Sequence, residues 1–351
     1  MAGLLEVSDL TVNYNSRGSQ LKALNSVALS VKSEEFLAVV GESGCGKTTL
    51  GLSIIGLLPP GSAWFSSGSI SYRGVDLTSL GPKEMRNYRG SEISMIFQEP
   101  LTSLNPLRTV GFQLVEAIKL RKSRRHKAEV EQGTRTRLAA SGRPSMPSLG
   151  RGKISDEIAE EVEAMLSLVR IADAKDVVSR YPFELSGGMR QRAMIAMALA
   201  QQPALLIADE PTTALDVTTQ AQVLKLMKEI KDKLGTTIIL VTHDLAVASQ
   251  VADRVIVMYA GRIVEDASVY DLFSKPLHPY TQGLLSCIPK GDRRGSELIP
   301  IPGSLPDLRF DVNACRFQPR CKYAMTVCSE RVPPLVEVEK GHRVACFLHG
   351  G

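Results

Sequence analysis

The chain has 351 residues, 44% of them hydrophobic and 23% charged, with a formal net charge of +5 at pH 7 and a mean hydropathy of −0.00. Such a composition fits a soluble globular protein with one large core and an appendage, or two domains. It argues against a bilayer-spanning helix, because no apolar run reaches the roughly 18 residues required; the longest candidate, Leu50 to Phe65, is broken by Pro59 and Pro60.

Glu6 and Asp9 stand early in the chain and no basic-then-apolar pattern precedes them, so no secretory signal is expected and the cytoplasm is the expected compartment. The positive charge is localised. Residues 121–153 hold ten Lys/Arg and two Glu, a local +8, which leaves the rest of the chain at −3. A globally basic nucleic-acid-binding surface is therefore not indicated. Six cysteines are too few for a disulfide scaffold in a chain of this length.

Taken in order, LEVSDLTVNY and ALNSVALSV alternate apolar and polar positions and predict antiparallel strands. Tyr14 follows the first of them, where an aromatic ring can stack on a nucleotide base or pack on the sheet. Next, FLAVVGESGCGKTTL reads as a strand, a phosphate-cradling loop and the start of a helix. Gly41, Gly44 and Gly46 allow a tight turn in which the N–H groups of Glu42, Ser43, Cys45 and their neighbours face anionic oxygens. Lys47 would reach the β- and γ-phosphates, the Thr48 hydroxyl would hold Mg2+, and Thr49 lies in the first turn of a helix whose positive end faces the phosphates.

A turn-rich β segment from Pro59 to Leu77 follows. In SEISMIFQEP, Gln98 stands at the end of an apolar strand, placed to touch Mg2+ or an attacking water. Val110 to Leu120 is helical in pattern. Residues 122–153 are basic, poor in large apolar residues and rich in Gly, Ser and Pro, and read as a flexible insertion; an electrostatic contact with anionic lipid or RNA is the sharper alternative. Ile154 to Ile171 resumes an acidic amphipathic helix with Ile158, Val162, Met165, Leu166 and Val169 on one face.

In LSGGMRQR, Ser186 precedes Gly187 and Gly188, which open a helix and make a second anion-binding nest. ALLIAD is a continuous apolar run, the mark of a parallel strand buried on both faces. It ends in Asp209, which would hold Mg2+ directly or through water, and Glu210, which would be positioned as the base that polarises water for attack on the γ-phosphate; a surface acidic pair is the alternative. PTTALD turns into a helix at Asp216. TTIILVTHD is another buried strand, ended by His243, whose imidazole can contact the γ-phosphate. DRVIVMYAGRIVEDA predicts a hairpin turning at Ala260-Gly261.

These motifs, in this order and spacing, resemble the nucleotide-binding subunits of ABC transporters over roughly residues 4 to 270. GESGCGKTT looks like Walker A, Gln98 the Q-loop, LSGGMRQR the signature, LLIADE Walker B, TALD with Asp216 the D-loop, and His243 the switch histidine. The resemblance implies that Tyr14 stacks on adenine. It also implies an α/β fold: a P-loop (RecA-like) parallel-sheet core, an antiparallel β subdomain and an α-helical signature subdomain. The expected boundaries are 1–268 for the ATPase domain, about 99–192 for its helical subdomain with the basic insertion 122–153, and 269–351 for a C-terminal extension.

Beyond residue 270, KPLHPYTQGLL, IPIPGSLPDL and ACRFQPRC resemble the oligopeptide/dipeptide importer ATPases. The long segment 122–153 departs from that pattern. The resemblance implies an ATP- and Mg2+-dependent subunit on the cytoplasmic face of the cell membrane, paired with a second ATPase subunit, sister or identical. Two membrane permease subunits and an extracytoplasmic solute-binding protein would complete the assembly, which would import di- and oligopeptides or related solutes such as nickel, glutathione or oligosaccharides. The rival reading is a soluble ABC ATPase acting on nucleic acid or ribosomes through residues 121–153.

Cys315, Cys321, Cys328 and Cys346 crowd a short Pro-containing tail. Four clustered thiols in a reducing compartment favour a metal over disulfides. Their spacing lacks the paired C-x2-C knuckles of structural zinc sites. The resemblance implies a [4Fe-4S] cluster on these four residues; zinc and free buried thiols are the alternatives.

Overall fold

A strand with no polar side chain on either face cannot border water, so such strands must lie inside a sheet covered on both sides. In the computed structural model, which describes residues 3–16, 18–98, 103–133, 156–213, 215–288, 300–309 and 313–350, this rule organises the larger of two compact units. That unit comprises residues 1–95, 204–210 and 224–351; the second comprises 96–203 and 211–223.

The elements in chain order are β1 (Leu5–Ser16), β2 (Ser19–Val31), β3 (Phe36–Val40), α1 (Lys47–Ile54), β4 (Ala63–Tyr72), β5 (Val75–Asp76) and β6 (Ile93–Ile96). The three longest described helices that follow, before the next strand, are α2 (Val110–Gly133), α3 (Asp156–Leu168) and α4 (Gly187–Leu199). Then come β7 (Leu205–Asp209), α5 (Val217–Leu234), β8 (Thr237–Thr242), α6 (Leu245–Val251), β9 (Arg254–Tyr259), β10 (Arg262–Ser268), α7 (Val269–Ser274), α8 (Pro279–Ser286), β11 (Val336–Glu339) and β12 (His342–Val344).

Among the described residues the strands form two sheets. The antiparallel one runs β2-β1-β4-β5, with the alternating sequence of β1 and β2 placing Leu5, Val7, Leu24, Val27 and Leu29 in the core. The larger sheet has the order β11-β12-β10-β9-β3-β8-β7-β6. Its centre is parallel: β3 pairs with β8 and β9, and β7 with β8. Every residue of β3, β7 and β8 is buried. β10 returns antiparallel to β9 through Ala260 (φ 49°) and Gly261 (φ 81°), the two positive dihedrals of a tight hairpin turn.

The C-terminal tail is not only loop. β12 pairs with β10 and β11 with β12, so the tail continues the central sheet and covers an edge that would otherwise stand open. Its anchor is Glu265 of β10, which has no exposed surface. The carboxylate accepts the N–H groups of Leu277 (2.7 Å) and His278 (2.9 Å) and lies 2.8 Å from His342 Nε2.

In the second unit, Val110, Leu114 and Ile118 of α2, Val162 and Leu166 of α3, and Ile195 and Leu199 of α4 are buried. The expected insertion at 122–153 is helical at its start, since α2 continues to Gly133. Arg121 just before it and the basic residues at its start have partners far along the chain. Arg121 donates to the Ala200 carbonyl (2.8 Å) and pairs with Glu161, Lys122 pairs with Glu157 (2.7 Å), and Arg124 donates to Gln201 (2.9 Å). Residues 134–155 lie outside the described residues.

Removing the Glu265 carboxylate strands buried donors. Glu265→Ala is expected to lower the unfolding free energy by about 3 kcal/mol in urea denaturation followed by circular dichroism. Glu265→Gln, which keeps one acceptor oxygen, should lose less.

Candidate nucleotide site at the strand ends

The apolar strands of the large sheet release polar groups only where they end, and β3, β7 and β8 end on one side. β3 runs into the glycine-rich loop, β7 ends at Asp209, and β8 is followed by His243. The loop geometry demands glycine at two positions. At Gly41 (φ 153°) an added Cβ would lie 2.2 Å from the Met258 carbonyl oxygen; at Gly46 (φ 105°) it would meet that of Ala23 at 2.6 Å. Gly46 caps α1 without a side-chain hydrogen bond, which leaves the helix start open to an anion.

Lys47 is buried and its ammonium donates to the carbonyls of Gly41 (2.7 Å) and Glu42 (3.0 Å). Cys45 is buried, with Sγ 3.9 Å from that ammonium, and burial pushes its thiol above the usual range. Ser43, Gly44 and Thr48 are exposed, and Thr49 is half-buried. The loop is also held by residues that the sequence motifs did not connect to it: Tyr280 and Arg320 contact Glu42. Both lie in tail motifs visible in the sequence, but nothing local signals a contact across 238 and 278 positions.

The Thr48 hydroxyl donates to Asp209 Oδ1 at 3.2 Å. The buried Asp209 carboxylate and the Thr48 hydroxyl beside it offer oxygen ligands of the kind that Mg2+ takes. Glu210, next along, has a φ of 45°, unusual for a residue with a side chain, and is anchored by its N–H to the Val241 carbonyl (2.9 Å). That turn carries the Glu210 carboxylate to within 3.2 Å of His243 Nδ1. Tyr14 is half-buried and packs against the core, paired across the sheet with Leu21 and Ala63.

The remaining predicted residues belong to the second unit. Gln98 is exposed, just past β6. Ser186 caps α4, accepting the Met189 N–H at 3.3 Å, and leaves Gly187 exposed at the helix start. A Cβ on Gly188 would meet Thr219 Cγ2 at 2.8 Å. The Asp216 carboxylate accepts the Thr219 N–H (2.9 Å) and hydroxyl (2.6 Å), bonds that hold its carboxyl below the usual range.

The family model of the ABC transporter matches residues 24–213, and that of the oligopeptide/dipeptide transporter C-terminal region matches residues 264–328. The dipeptide transport ATP-binding protein DppD of Bacillus subtilis is 45% identical over 348 residues, 99% of this chain and 95% of its own. The oligopeptide transport ATP-binding protein OppD of Escherichia coli is 41% identical over 344 residues, 98% of this chain and 93% of its own. The chain belongs to the ATP-binding subunits of the oligopeptide/dipeptide ABC transporters. Members of this ABC family couple ATP hydrolysis to transport, and this subunit does the same.

Among solved structures, a dimeric ATP-binding cassette in a post-hydrolysis state bound to ADP and Pi aligns with a TM-score of 0.59 at 26% identity, over 76% of the ABC subunit and 98% of its own chain. CbiO1 from Clostridium perfringens, part of the ABC transporter complex CbiONQ, gives 0.59 at 26% identity over 78% of this chain and 92% of its own. Both agree with the expected cassette fold. No helix among the described residues is long and apolar enough to cross a membrane.

The four tail cysteines of the ABC subunit line one apolar cavity, with Phe317 and Tyr323 among its walls. The space between them is about 10 Å³, enough for about one water. Burial pushes the Cys315 thiol up to about 11 and raises those of Cys321 and Cys346. The expected ligands thus share a cavity, but among the described residues no three metal-ligating side chains converge closely enough to hold an ion.

Burial pushes the Asp209 carboxyl above its usual range; the Thr48 hydrogen bond opposes this, Glu210 adds to it and Lys47 opposes it. A carboxyl raised on folding contributes stability at acid pH that is lost as pH rises from the ordinary Asp value through the raised one. Nucleotide-free protein at neutral pH therefore carries a destabilising charge here. Asp209→Asn is expected to raise the thermal midpoint of nucleotide-free protein by about 2 °C at pH 7.5, with the gain vanishing on acidification in scanning calorimetry.

Proposed function

We propose that this chain hydrolyses ATP to power an importer of di- and oligopeptides, or related solutes such as nickel, glutathione or oligosaccharides, through a separate permease. The observation that carries the chemical part is the row Thr48, Asp209, Glu210 and His243 at neighbouring strand ends, with hydroxyl to carboxylate at 3.2 Å and carboxylate to imidazole at 3.2 Å. The substrate class is supported by relatives named for dipeptide and oligopeptide transport and by the matched C-terminal region, which also favours an importer over a nucleic-acid or ribosome ATPase.

In this reading the loop from Gly41 to Thr49 binds the phosphates through its N–H groups and Lys47, and Tyr14 stacks on adenine. Mg2+, when held by Thr48 and Asp209 with help from Gln98, neutralises phosphate charge. Glu210 takes a proton from the attacking water, and His243, placed against Glu210, stabilises the transferring phosphate. Ser186, Gly187 and Gly188 form the second nest, which serves the nucleotide of a partner ATPase subunit across an interface that also includes Asp216. That partner is a sister or an identical subunit. Two permease subunits and an extracytoplasmic binding protein complete the assembly, with this chain peripheral on the cytoplasmic face of the membrane.

Glu210→Gln keeps shape and hydrogen bonding but removes the base. ATP binding should persist while turnover of the assembled transporter falls about 10²–10⁴-fold; unchanged turnover would rule out this role for Glu210.

We also propose that Cys315, Cys321, Cys328 and Cys346 hold a [4Fe-4S] cluster. Their chemistry supports this: four thiolates are the donor set of such a cluster, and these four face one cavity. Bound there, a cluster would tie together a tail too small to fold alone. Protein purified without oxygen should be brown, absorb broadly near ~400 nm and lose that band in Cys321→Ser. Colourless protein carrying one zinc, or no metal, per chain would overturn the assignment.

A further inference from the structure

We propose that Arg320 and Tyr280 of the C-terminal extension are positioning residues for the phosphate loop, acting through Glu42. The proposal rests on the reading of residues 41–49 as the ATP phosphate site. Glu42 is the second residue of that loop, and two extension side chains hold it from outside. Its N–H donates to the Tyr280 hydroxyl at 2.9 Å. Its carboxylate accepts both arms of the Arg320 guanidinium, Nη1 to Oε2 at 2.9 Å and Nη2 to Oε1 at 3.0 Å. Such a two-pronged pair fixes direction as well as distance.

Both holders are themselves anchored. The Arg320 side chain is 6% exposed. Its Nε donates to the Pro302 carbonyl (2.8 Å), and Nη2 reaches that of Ile301 (3.3 Å). Nη1 lies 3.4 Å from the Tyr259 hydroxyl, and the guanidinium stands 5.7 Å over that ring. Tyr280 is fully buried, edge-on to Tyr259 at 4.7 Å and tilted against Phe317 at 5.4 Å. Phe317 precedes and Arg320 ends one short turn, Gln318–Arg320.

On the loop side, the Glu42 carbonyl accepts Lys47 Nζ (3.0 Å) and the Cys45 N–H (3.2 Å). The residue that positions the phosphate-binding lysine is thus the one the extension grips. A loop of three glycines has many conformations, and the competent fraction sets apparent affinity. The pairing also neutralises a carboxylate that would otherwise stand beside the nucleotide phosphates. Both effects of the grip favour ATP.

The test is Mg-ATP titration of the full-length subunit with a fluorescent ATP analogue, with folding of each variant checked by circular dichroism. Arg320→Ala should weaken binding about tenfold, as for a loop competent about a tenth of the time. Arg320→Lys should recover part of the loss, because an ammonium cannot form the fork. Tyr280→Phe, which keeps the packing and removes only the hydroxyl, should weaken binding about threefold. In the double variant Glu42→Ala, Arg320→Ala, the loss should stay near that of Arg320→Ala alone rather than reach the product of the two single losses.

Wild-type affinity in Arg320→Ala, or losses that multiply in the double variant, would overturn the proposal, because a merely structural role for Arg320 predicts independent effects. Lys47→Ala separates the two readings. If it loses ATP while Arg320→Ala does not, only the positioning role fails; if it binds ATP normally, the loop assignment fails and takes this proposal with it.

Discussion

The burial of β3, β7 and β8 on both faces is the constraint on which this protein depends. Parallel pairing of these strands satisfies their backbone groups, and their apolar side chains leave no place for chemistry along their length. Chemistry is therefore pushed to the strand ends. Because the strands are parallel, the ends that matter lie side by side, which brings together a loop at position 41, a carboxylate pair at 209 and 210, and a histidine at 243. Glu210 shows how firmly the arrangement is imposed: it accepts a positive φ of 45° rather than continuing the strand.

Much of this was legible because it is local. A run such as FLAVV followed by glycines, or LLIAD followed by Glu, declares both the strand and the polar residue at its end. The turn at Ala260-Gly261 was legible for the same reason. What escaped the sequence depends on distant partners. The basic residues from Arg121 onward read as a solvated insertion because Glu157, Glu161 and the Ala200 carbonyl, their partners in the fold, lie 35 to 79 positions away. The strands of the tail could not be read locally, because β11 and β12 are only four and three residues long and need the edge of β10 to become strands. Tyr14 packs partly on the core, a reminder that an aromatic ring at a strand end serves the sheet before it serves a ligand.

The site carries charges that a purely structural protein would not keep. Asp209 is nearly buried, Glu210 sits beside it, and Lys47 is turned inward against carbonyl oxygens. A ligand that binds only the folded chain stabilises it, by about 2.7 kcal/mol at a concentration 100 times its dissociation constant. Filling the site with a nucleotide and its cation would thus repair a local defect in the empty protein. Functional residues held in a destabilising setting are a common price of activity.

The same reasoning explains why the extension grips the loop with an ion pair rather than with apolar contacts. An apolar clamp would gain most from area, but the loop has little to offer beyond backbone, Glu42 and small side chains. A forked guanidinium meeting a carboxylate specifies angle as well as distance, and at 6% exposure Arg320 is shielded enough for the pairing to resist salt. Its rigidity, however, is borrowed. Arg320 owes its place to the turn after Phe317 and to carbonyls at 301 and 302, all supplied by the tail. Whatever fixes that tail, whether the strands added to β10 or the four thiols that begin one residue before Arg316 and resume directly after Arg320, therefore also fixes the geometry at Glu42. In this subunit the order of the last fifty residues is a condition on the loop near the beginning.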